Sequence, residues 1–115
     1  MKELNEKVIE ILENNGFNIG KINTQDDNYY IDLQQYTQAE EDWYVTIWFN
    51  GTDKDFVTQV EEYYNNFDVD EETEILIESR GKNGVPSSIR TILEDQEWKD
   101  NKLKELSDNL DNLEL

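Results

Sequence analysis

Residues 42–50, DWYVTIWFN, alternate large apolar side chains with other residues along the whole stretch. A period of two is typical of a β-strand with one buried face. The side chains expected in the core are Trp43, Val45, Ile47 and Phe49. The intervening Tyr44, Thr46 and Trp48 then lie on the opposite face, which is either open to a partner or covered by further helices.

The residues before this strand extend the pattern. Residues 28–36, NYYIDLQQY, place Tyr29, Ile31 and Leu33 on one face, and TQAEE (37–41) predicts the turn of an antiparallel hairpin. Residues 16–23, GFNIGKIN, predict a short first strand. Residues 2–15 have apolar side chains at helical spacing, and Gly16 is expected to end that helix.

The residues after the strand predict two helices and one more strand. Thr52 and Asp55 resemble a capping box and start a helix over about 53–66. Residues 73–79, TEILIES, alternate again and predict a fourth strand, with Thr73, Ile75 and Ile77 on one face. RGKNGVP (80–86) predicts a loop. From Pro86 the chain is expected to be helical almost to its end, with a break around Asp95.

These elements predict one α+β domain over residues 1–115. It is an antiparallel sheet of about four strands packed by helices, in the order α-β-β-β-α-β-α, with a long C-terminal helix. That helix has a heptad pattern formed by Ile89, Ile92, Gln96, Lys99, Leu103, Leu106, Leu110 and Leu113. Gln96 and Lys99 interrupt it, so the last apolar stretch either packs on the domain or forms a homodimer seam. Monomer and homodimer both remain open.

Negative charge is concentrated in the middle of the chain. The net charge is −18 over 115 residues, whereas a small domain usually carries a net charge of roughly 2–8. Residues 22–79 hold sixteen acidic residues and one basic residue, Lys54, a net of −15. Because like charges repel, a concentrated excess destabilises the fold and suggests a functional reason; a purely solubilising surface is the alternative.

The sequence does not predict an enzyme. It contains no Cys and no His, which removes thiol nucleophiles, Cys/His zinc sites and histidine acid–base chemistry. Residues 68–79, DVDEETEILIES, begin like an EF-hand loop, but Thr73 stands where that loop needs Gly and Ser79 where it needs Glu. We therefore expect no metal ion and no cofactor.

No targeting or membrane segment is predicted. Residues 1–15, MKELNEKVIEILENN, lack the apolar region of a signal peptide. No stretch approaches the length of a membrane span. We expect a cytoplasmic protein without a membrane partner.

A second charged feature is the basic loop that precedes the last helix. Arg80, Lys82 and Arg90 lie near the predicted helix start, where an anion could bind. The alternative, which we favour, is that these cations neutralise acidic groups of the same protein.

The acidic charge predicts the class of partner. Proteins that bind DNA or RNA usually do so through basic surfaces, so this chain is expected to be repelled by nucleic acid and to bind a basic nucleic-acid-binding protein. Exposed aromatic side chains among the acids suit such an interface. The candidate partner-binding residues are Glu61, Glu62, Asp68, Asp70, Glu71, Glu72, Glu74, Glu78, Tyr44 and Trp48.

Residues 63–110, YYNNFDVDEETEILIESRGKNGVPSSIRTILEDQEWKDNKLKELSDNL, resemble part of a group of small acidic proteins of phages and mobile elements of Gram-positive bacteria. The shared features are the acidic FDVDEE, a strand after it, GKNGVP and a long helix, which cover about the C-terminal half of the chain. The resemblance implies a bacterial host cell and a setting in which DNA mimics of the anti-CRISPR or anti-restriction type occur. It transfers no functional residue.

Two non-enzymatic functions follow as hypotheses. The first is a DNA mimic that inhibits a host defence nuclease, such as a CRISPR effector or a restriction enzyme, by occupying its basic channel. The second is a structural or regulatory accessory protein of a mobile element, dimeric through its last helix, whose acidity serves solubility. An enzyme that uses carboxylates and a divalent metal is a third, weaker hypothesis.

Overall fold

The computed structural model describes residues 3–115, so residue 2, where the first predicted helix starts, lies outside them. A four-stranded antiparallel sheet and four helices confirm the predicted α+β class and the long C-terminal helix. The elements are α1 (Glu6–Asn14), β1 (Asn18–Ile19), β2 (Asn23–Gln25), β3 (Asn28–Tyr36), β4 (Asp42–Phe49), α2 (Asp53–Asn66), α3 (Val69–Ile77) and α4 (Ile89–Asp111). None of these helices is long and apolar enough to cross a membrane.

Strand β3 lies at the centre of the sheet. Along one side it pairs with both β1 and β2, and along the other side with β4. The predicted strand over residues 16–23 is therefore two short strands. The eight residue pairs from Tyr29↔Phe49 to Tyr36↔Asp42 join β3 to β4 without a bulge. Among residues 3–115, β4 pairs with no strand other than β3, so it lies at an edge of the sheet.

The helices cover one face of the sheet. Alternation along β4 is complete: every second side chain is buried and those between are exposed. The core joins the buried face to apolar residues of α1, α2 and α4, and its largest members include Phe56, Leu103 and Trp43. Phe49 contacts Phe56 at 5.4 Å between ring centroids, which ties the end of β4 to the start of α2. The other sheet face is open.

Local hydrogen bonds explain where α1 ends and where α2 begins. At the end of α1, Gly16 has a φ of +106° and the N–H groups of Gly16 and Phe17 donate to Glu13 and Leu12 carbonyls, as predicted for a helix stop at this glycine. At the start of α2, the Thr52 hydroxyl accepts from the Asp55 N–H. The Asp55 carboxylate accepts from Asn50 rather than from Thr52, so the predicted capping box is closed two residues earlier.

The predicted fourth strand over residues 73–79 is wrong, because this segment belongs to helix α3. The Asp68 carboxylate caps the helix by accepting the N–H groups of Asp70 and Glu71. Thr73 is buried, whereas Ile75, expected in the core, is 58% exposed. Val69, Thr73, Leu76 and Ile77 follow helical spacing, and α3 packs on α4 along this side.

Helix α4 is continuous from Ile89 to Asp111, so the predicted break at Asp95 is wrong. The Ser88 hydroxyl caps the helix by accepting the Thr91 N–H. Leu103, Leu106 and Leu110 are buried in the core. These leucines of the last apolar stretch therefore pack on their own domain.

The cap at Asp68 gives a test of the α3 assignment. Asp68→Ala should lower the free energy of unfolding by about 0.5–2 kcal/mol, because two N–H groups lose their acceptor. Asp68→Ser also removes the charge but keeps a capping oxygen, and should retain most of the stability. The measurement is chemical denaturation followed by far-UV circular dichroism. Equal stability of the two variants would contradict a capping role for Asp68.

Candidate functional site

The eight predicted acidic residues lie on two consecutive helices and on the turn between them. Glu61 and Glu62 are exposed in the C-terminal half of α2, and Asp68 caps α3. Asp70, Glu71 and Glu72 form the first turn of α3, Glu74 lies in its last turn and Glu78 is its C-terminal cap. All are exposed except the half-buried Glu72. Since the segment is a helix, its carboxylates at i, i+3 and i+4 are about 5–6 Å apart at Cβ, closer than on a strand.

Among residues 3–115, these carboxylates have no ion-pair partner. In the part of the chain that the structure describes, the ion pairs join Arg90 to Glu94, Lys99 to Glu41 and Lys104 to Asp108. None of them includes a residue between 61 and 78. The surface of α2 and α3 therefore presents negative charge that the fold does not neutralise.

The position of each acid along its helix separates structural from unexplained charges. The positive end of the helix dipole stabilises acids in a first turn, so Asp68, Asp70 and Glu71 favour the formation of α3. Glu74 and Glu78 lie at the negative end of α3, whose last turn contains no basic residue. Arg80 follows this end and donates to the Ile77 carbonyl, but no ion pair among residues 3–115 joins it to either acid. Glu61 and Glu62 lie beyond the first turn of α2, and also lack a local stabilising role. These four are the acids that helix stability does not account for.

Glu72 connects the two helices electrostatically. Its carboxylate lies near the half-buried Tyr63 of α2. Burial, and then the charge of Glu72, raise the pKa of the Tyr63 hydroxyl above its usual 10.0. The acids of α3 therefore act on the same region as those of α2.

The predicted aromatic residues lie on the open face of the sheet. Tyr44 is 61% exposed and Trp48 is 45% exposed, and no helix covers them. The Tyr30 ring lies beside the Trp48 ring, at 4.6 Å between centroids, because the two residues pair directly across β3 and β4. On the same face, the Thr46 hydroxyl of β4 donates a hydrogen bond to the Asp32 carboxylate of β3 at 2.6 Å.

A groove joins the aromatic face to the acidic helices. It lies between β4 and α2, has a volume of about 220 Å³, and is lined by Thr46, Ile47, Trp48, Gln59, Glu62, Tyr63 and Asn66. Among the predicted residues it brings together Trp48 and Glu62, and leaves Tyr44 outside. Gln59, Tyr63 and Asn66 were not predicted. Their spacing of i, i+4 and i+7 on one helix face was the signal that could have identified them.

The basic loop residues do not converge on a site. Arg90 makes its exposed ion pair with Glu94 at 3.1 Å. An Arg80 guanidinium nitrogen donates to the carbonyl of Ile77 at the end of α3. The Arg90 ion pair fits the interpretation that these cations neutralise acidic groups of the same protein. Arg80 instead binds a backbone carbonyl at the end of a helix.

A buried charged cluster holds the β3–β4 turn on α4. Lys99 Nζ donates to Glu41 Oε1 at 3.0 Å, and the two side chains are only 6% and 11% exposed. The Thr37 hydroxyl donates to Asp95, which is fully buried. The heptad interruption at Lys99 is therefore a polar contact inside the fold. Burial and a hydrogen bond involving Asp95 raise the pKa of Glu41, and Lys99 opposes the rise.

The largest-volume cavity described here contains none of the predicted site residues. A cavity of about 530 Å³ lies between α1 and β1, lined mainly by apolar residues together with Glu3, Glu13 and Lys21. None of the residues that line this cavity was predicted as a site residue, because its apolar residues also fit an ordinary core. Within residues 3–115, no three acidic residues are arranged to hold a metal ion.

Neutralising Lys99 should destabilise the fold in a pH-dependent way. Lys99→Met should lower the free energy of unfolding by about 3–5 kcal/mol at neutral pH, because Glu41 loses its partner. The pKa of Glu41 then rises further, since only burial and Asp95 act on it. The folded variant binds a proton more tightly than the unfolded chain, so the loss should shrink as the pH falls towards 4.5, the ordinary pKa of Glu41.

Denaturation of both proteins at several pH values measures this effect. Lys104→Met is the control, since Lys104 makes a surface pair with Asp108 and should change stability little at any pH. A Lys99→Met deficit that does not change with pH would contradict the coupling to Glu41.

Salt should stabilise the protein, because it screens the unpaired acids. We expect the melting temperature to rise when monovalent salt increases from about 0.01 to about 0.15 M, since the Debye length falls from ~30 to ~8 Å. Scanning calorimetry at fixed pH measures the change. A melting temperature that falls or stays constant would show that repulsion on this surface is weak.

Comparisons of this chain with protein-family models, with curated proteins and with solved structures find no match. The resemblance to acidic phage and mobile-element proteins therefore stays a prediction.

Proposed function

We propose that this chain is a binding protein that blocks a basic nucleic-acid-binding protein by presenting carboxylates in place of DNA phosphates. The partner class is a host defence nuclease, either a CRISPR effector or a restriction enzyme. The observation that supports the proposal is the set of unpaired carboxylates on α2 and α3, four of which have no role in helix stability. Retaining unfavourable charges suggests a use outside the fold.

The spacing of the charges is compatible with a phosphate track. Residues three and four apart on a helix are separated by about 4.5–6 Å along its axis, as Glu71, Glu74 and Glu78 are on α3. One DNA strand carries a phosphate every ~3.4 Å along the duplex axis. A single helix is therefore somewhat sparser than a DNA strand. Two adjoining helices come closer to its charge density.

The partner's chemistry follows from the same surface. Negative charge repels nucleic acid, so direct DNA or RNA binding is disfavoured. A nuclease channel that binds a duplex carries Lys and Arg along its length, and in CRISPR effectors Arg also reads the bases next to the target. The acidic helices complement such a channel without any chemical step by the inhibitor.

The accessory-protein hypothesis is the alternative. The observation that favours it is that Asp68, Asp70 and Glu71 already have a local role at the start of α3. Some of the acidity therefore needs no partner. This local role does not extend to the acids in the C-terminal halves of the two helices. In addition, the leucines of the dimer seam that this hypothesis proposes are buried in the domain.

A charge-matched pair of variants tests mimicry. Glu61, Glu74 and Glu78→Gln removes three acids of the proposed surface, and Glu10, Glu13 and Glu105→Gln removes three exposed acids elsewhere. Against a guide-loaded CRISPR effector and a restriction enzyme, we expect the first variant to lose about 10–100-fold in association rate at low salt. The control should lose much less. The first variant should also be at least as stable as the wild type.

Surface plasmon resonance across a salt series, with and without the nuclease's target duplex, provides the measurement. Mimicry requires the duplex and this protein to compete for one site. Simultaneous binding of both, or equal salt dependence of the two triple variants, would overturn the proposal and favour the accessory protein.

A further inference from the structure

We infer that the groove between β4 and α2 is a receptor for an arginine side chain of the basic partner. This inference rests on the proposed function and names the contact that anchors it. The residues that line the groove include two aromatic residues, Trp48 and Tyr63, one acid, Glu62, and two amides, Gln59 and Asn66. No basic residue within 3–115 lines it.

The size of the groove suits one side chain. Its volume of about 220 Å³ is several times the ~30 Å³ that a water molecule occupies in the liquid. It is smaller than the ~300 Å³ at which pockets for small molecules begin. A single long side chain entering from a partner surface fits these limits better than a free metabolite.

The groove offers oxygen atoms that can accept hydrogen bonds from a guanidinium. Gln59 donates its amide N–H to Asp55 Oδ1 at 3.3 Å, which leaves the Gln59 carbonyl oxygen as an acceptor. Glu62 is exposed, and none of the ion pairs in the described part of the chain includes it. A carboxylate and an amide oxygen together can accept several of the five N–H donors that a guanidinium presents in its plane.

The aromatic wall favours arginine over lysine. A guanidinium is flat and weakly hydrated, so it stacks on an indole, whereas an ammonium group acts as a compact, strongly hydrated charge. Trp48 is kept in place by Tyr30, its direct neighbour across the sheet. The wall therefore exists before a partner binds.

The basic residues of the described chain lie outside the groove. Lys54 is the one basic residue between positions 22 and 79, and it lines a different cavity with Val57 and Leu110. Glu72 lies near Tyr63 and adds negative charge beside the groove. The groove is therefore open to a cation from another molecule.

Two peptides of equal length and charge provide the probe, one with three arginines spaced by glycine and one with three lysines. We expect the wild type to bind the arginine peptide about 2–5-fold more tightly, as stacking on an aromatic ring predicts. Titration calorimetry gives the affinities, and the NMR signal of the Trp48 indole N–H reports occupancy of the groove. Equal affinity for the two peptides would overturn the inference.

Variants locate the preference. Trp48→Ala should abolish it, and Trp48→Phe should keep part of it, which guards against loss of folding as the cause. Tyr36→Ala removes an aromatic residue that is 63% exposed on the same sheet face but outside the groove, and should keep the preference. Glu62→Gln should weaken both peptides, and Glu105→Gln should not. A preference that survives Trp48→Ala would place arginine binding elsewhere.

Nuclease binding separates this inference from the proposed function. If both hold, Trp48→Ala should raise the dissociation rate by about 5–30-fold, and Glu61, Glu74 and Glu78→Gln should mainly lower the association rate. If only the triple variant weakens binding, mimicry stands and the groove is overturned as its anchor. If the arginine preference persists while no nuclease binds, the groove is supported and mimicry is overturned.

Discussion

The register of β3 against β4 decides which side chains of this protein contact water. Eight consecutive pairs join the two strands, and the apolar face of each meets the helices. A slip of one residue would expose Trp43 and Val45 and bury Tyr44 and Trp48. The turn between the strands is fixed to α4 by the Glu41–Lys99 pair and by the Thr37–Asp95 bond. These buried contacts oppose a slip, so the open face and the groove beside it depend on them.

The acidic helices show how charge serves two purposes in one segment. The first turn of α3 uses carboxylates to cap and orient the helix, and these acids would be favourable in any protein. The acids in the C-terminal halves of α2 and α3 receive no such benefit. Charge density alone therefore says little about function, and position relative to the helix dipole distinguishes the two groups.

Strong periodicity made most of the fold predictable. The hairpin, α2 and the long α4 have patterns that one structure explains. Gly16 marks the end of α1 and Thr52 the start of α2, as expected. Residues 69–79 carry two patterns at once: alternation at Thr73, Ile75 and Ile77, and helical spacing at Val69, Thr73 and Leu76. The Asp68 cap and the packing on α4 decide between them, and only the first of these is visible in the sequence.

The candidate site was predictable in part for a similar reason. Exposure of the acids and of Trp48 follows from local pattern, whereas the groove requires β4 and α2 to meet. The buried Glu41 and Asp95 could not be predicted, because charged residues are expected at the surface. Lys99 left one trace, its place in the heptad.

The free edge of β4 has a consequence for how copies of the protein behave together. An unpaired edge strand beside exposed Tyr and Trp rings is a template for aggregation through strand pairing. The net charge of −18 opposes this, because two copies repel each other before their edges can meet. Near the isoelectric point of about 4.1 that repulsion vanishes. The carboxylates that destabilise the fold by repulsion therefore also oppose self-association. They allow the aromatic face of the sheet to remain exposed at neutral pH without strand pairing between copies.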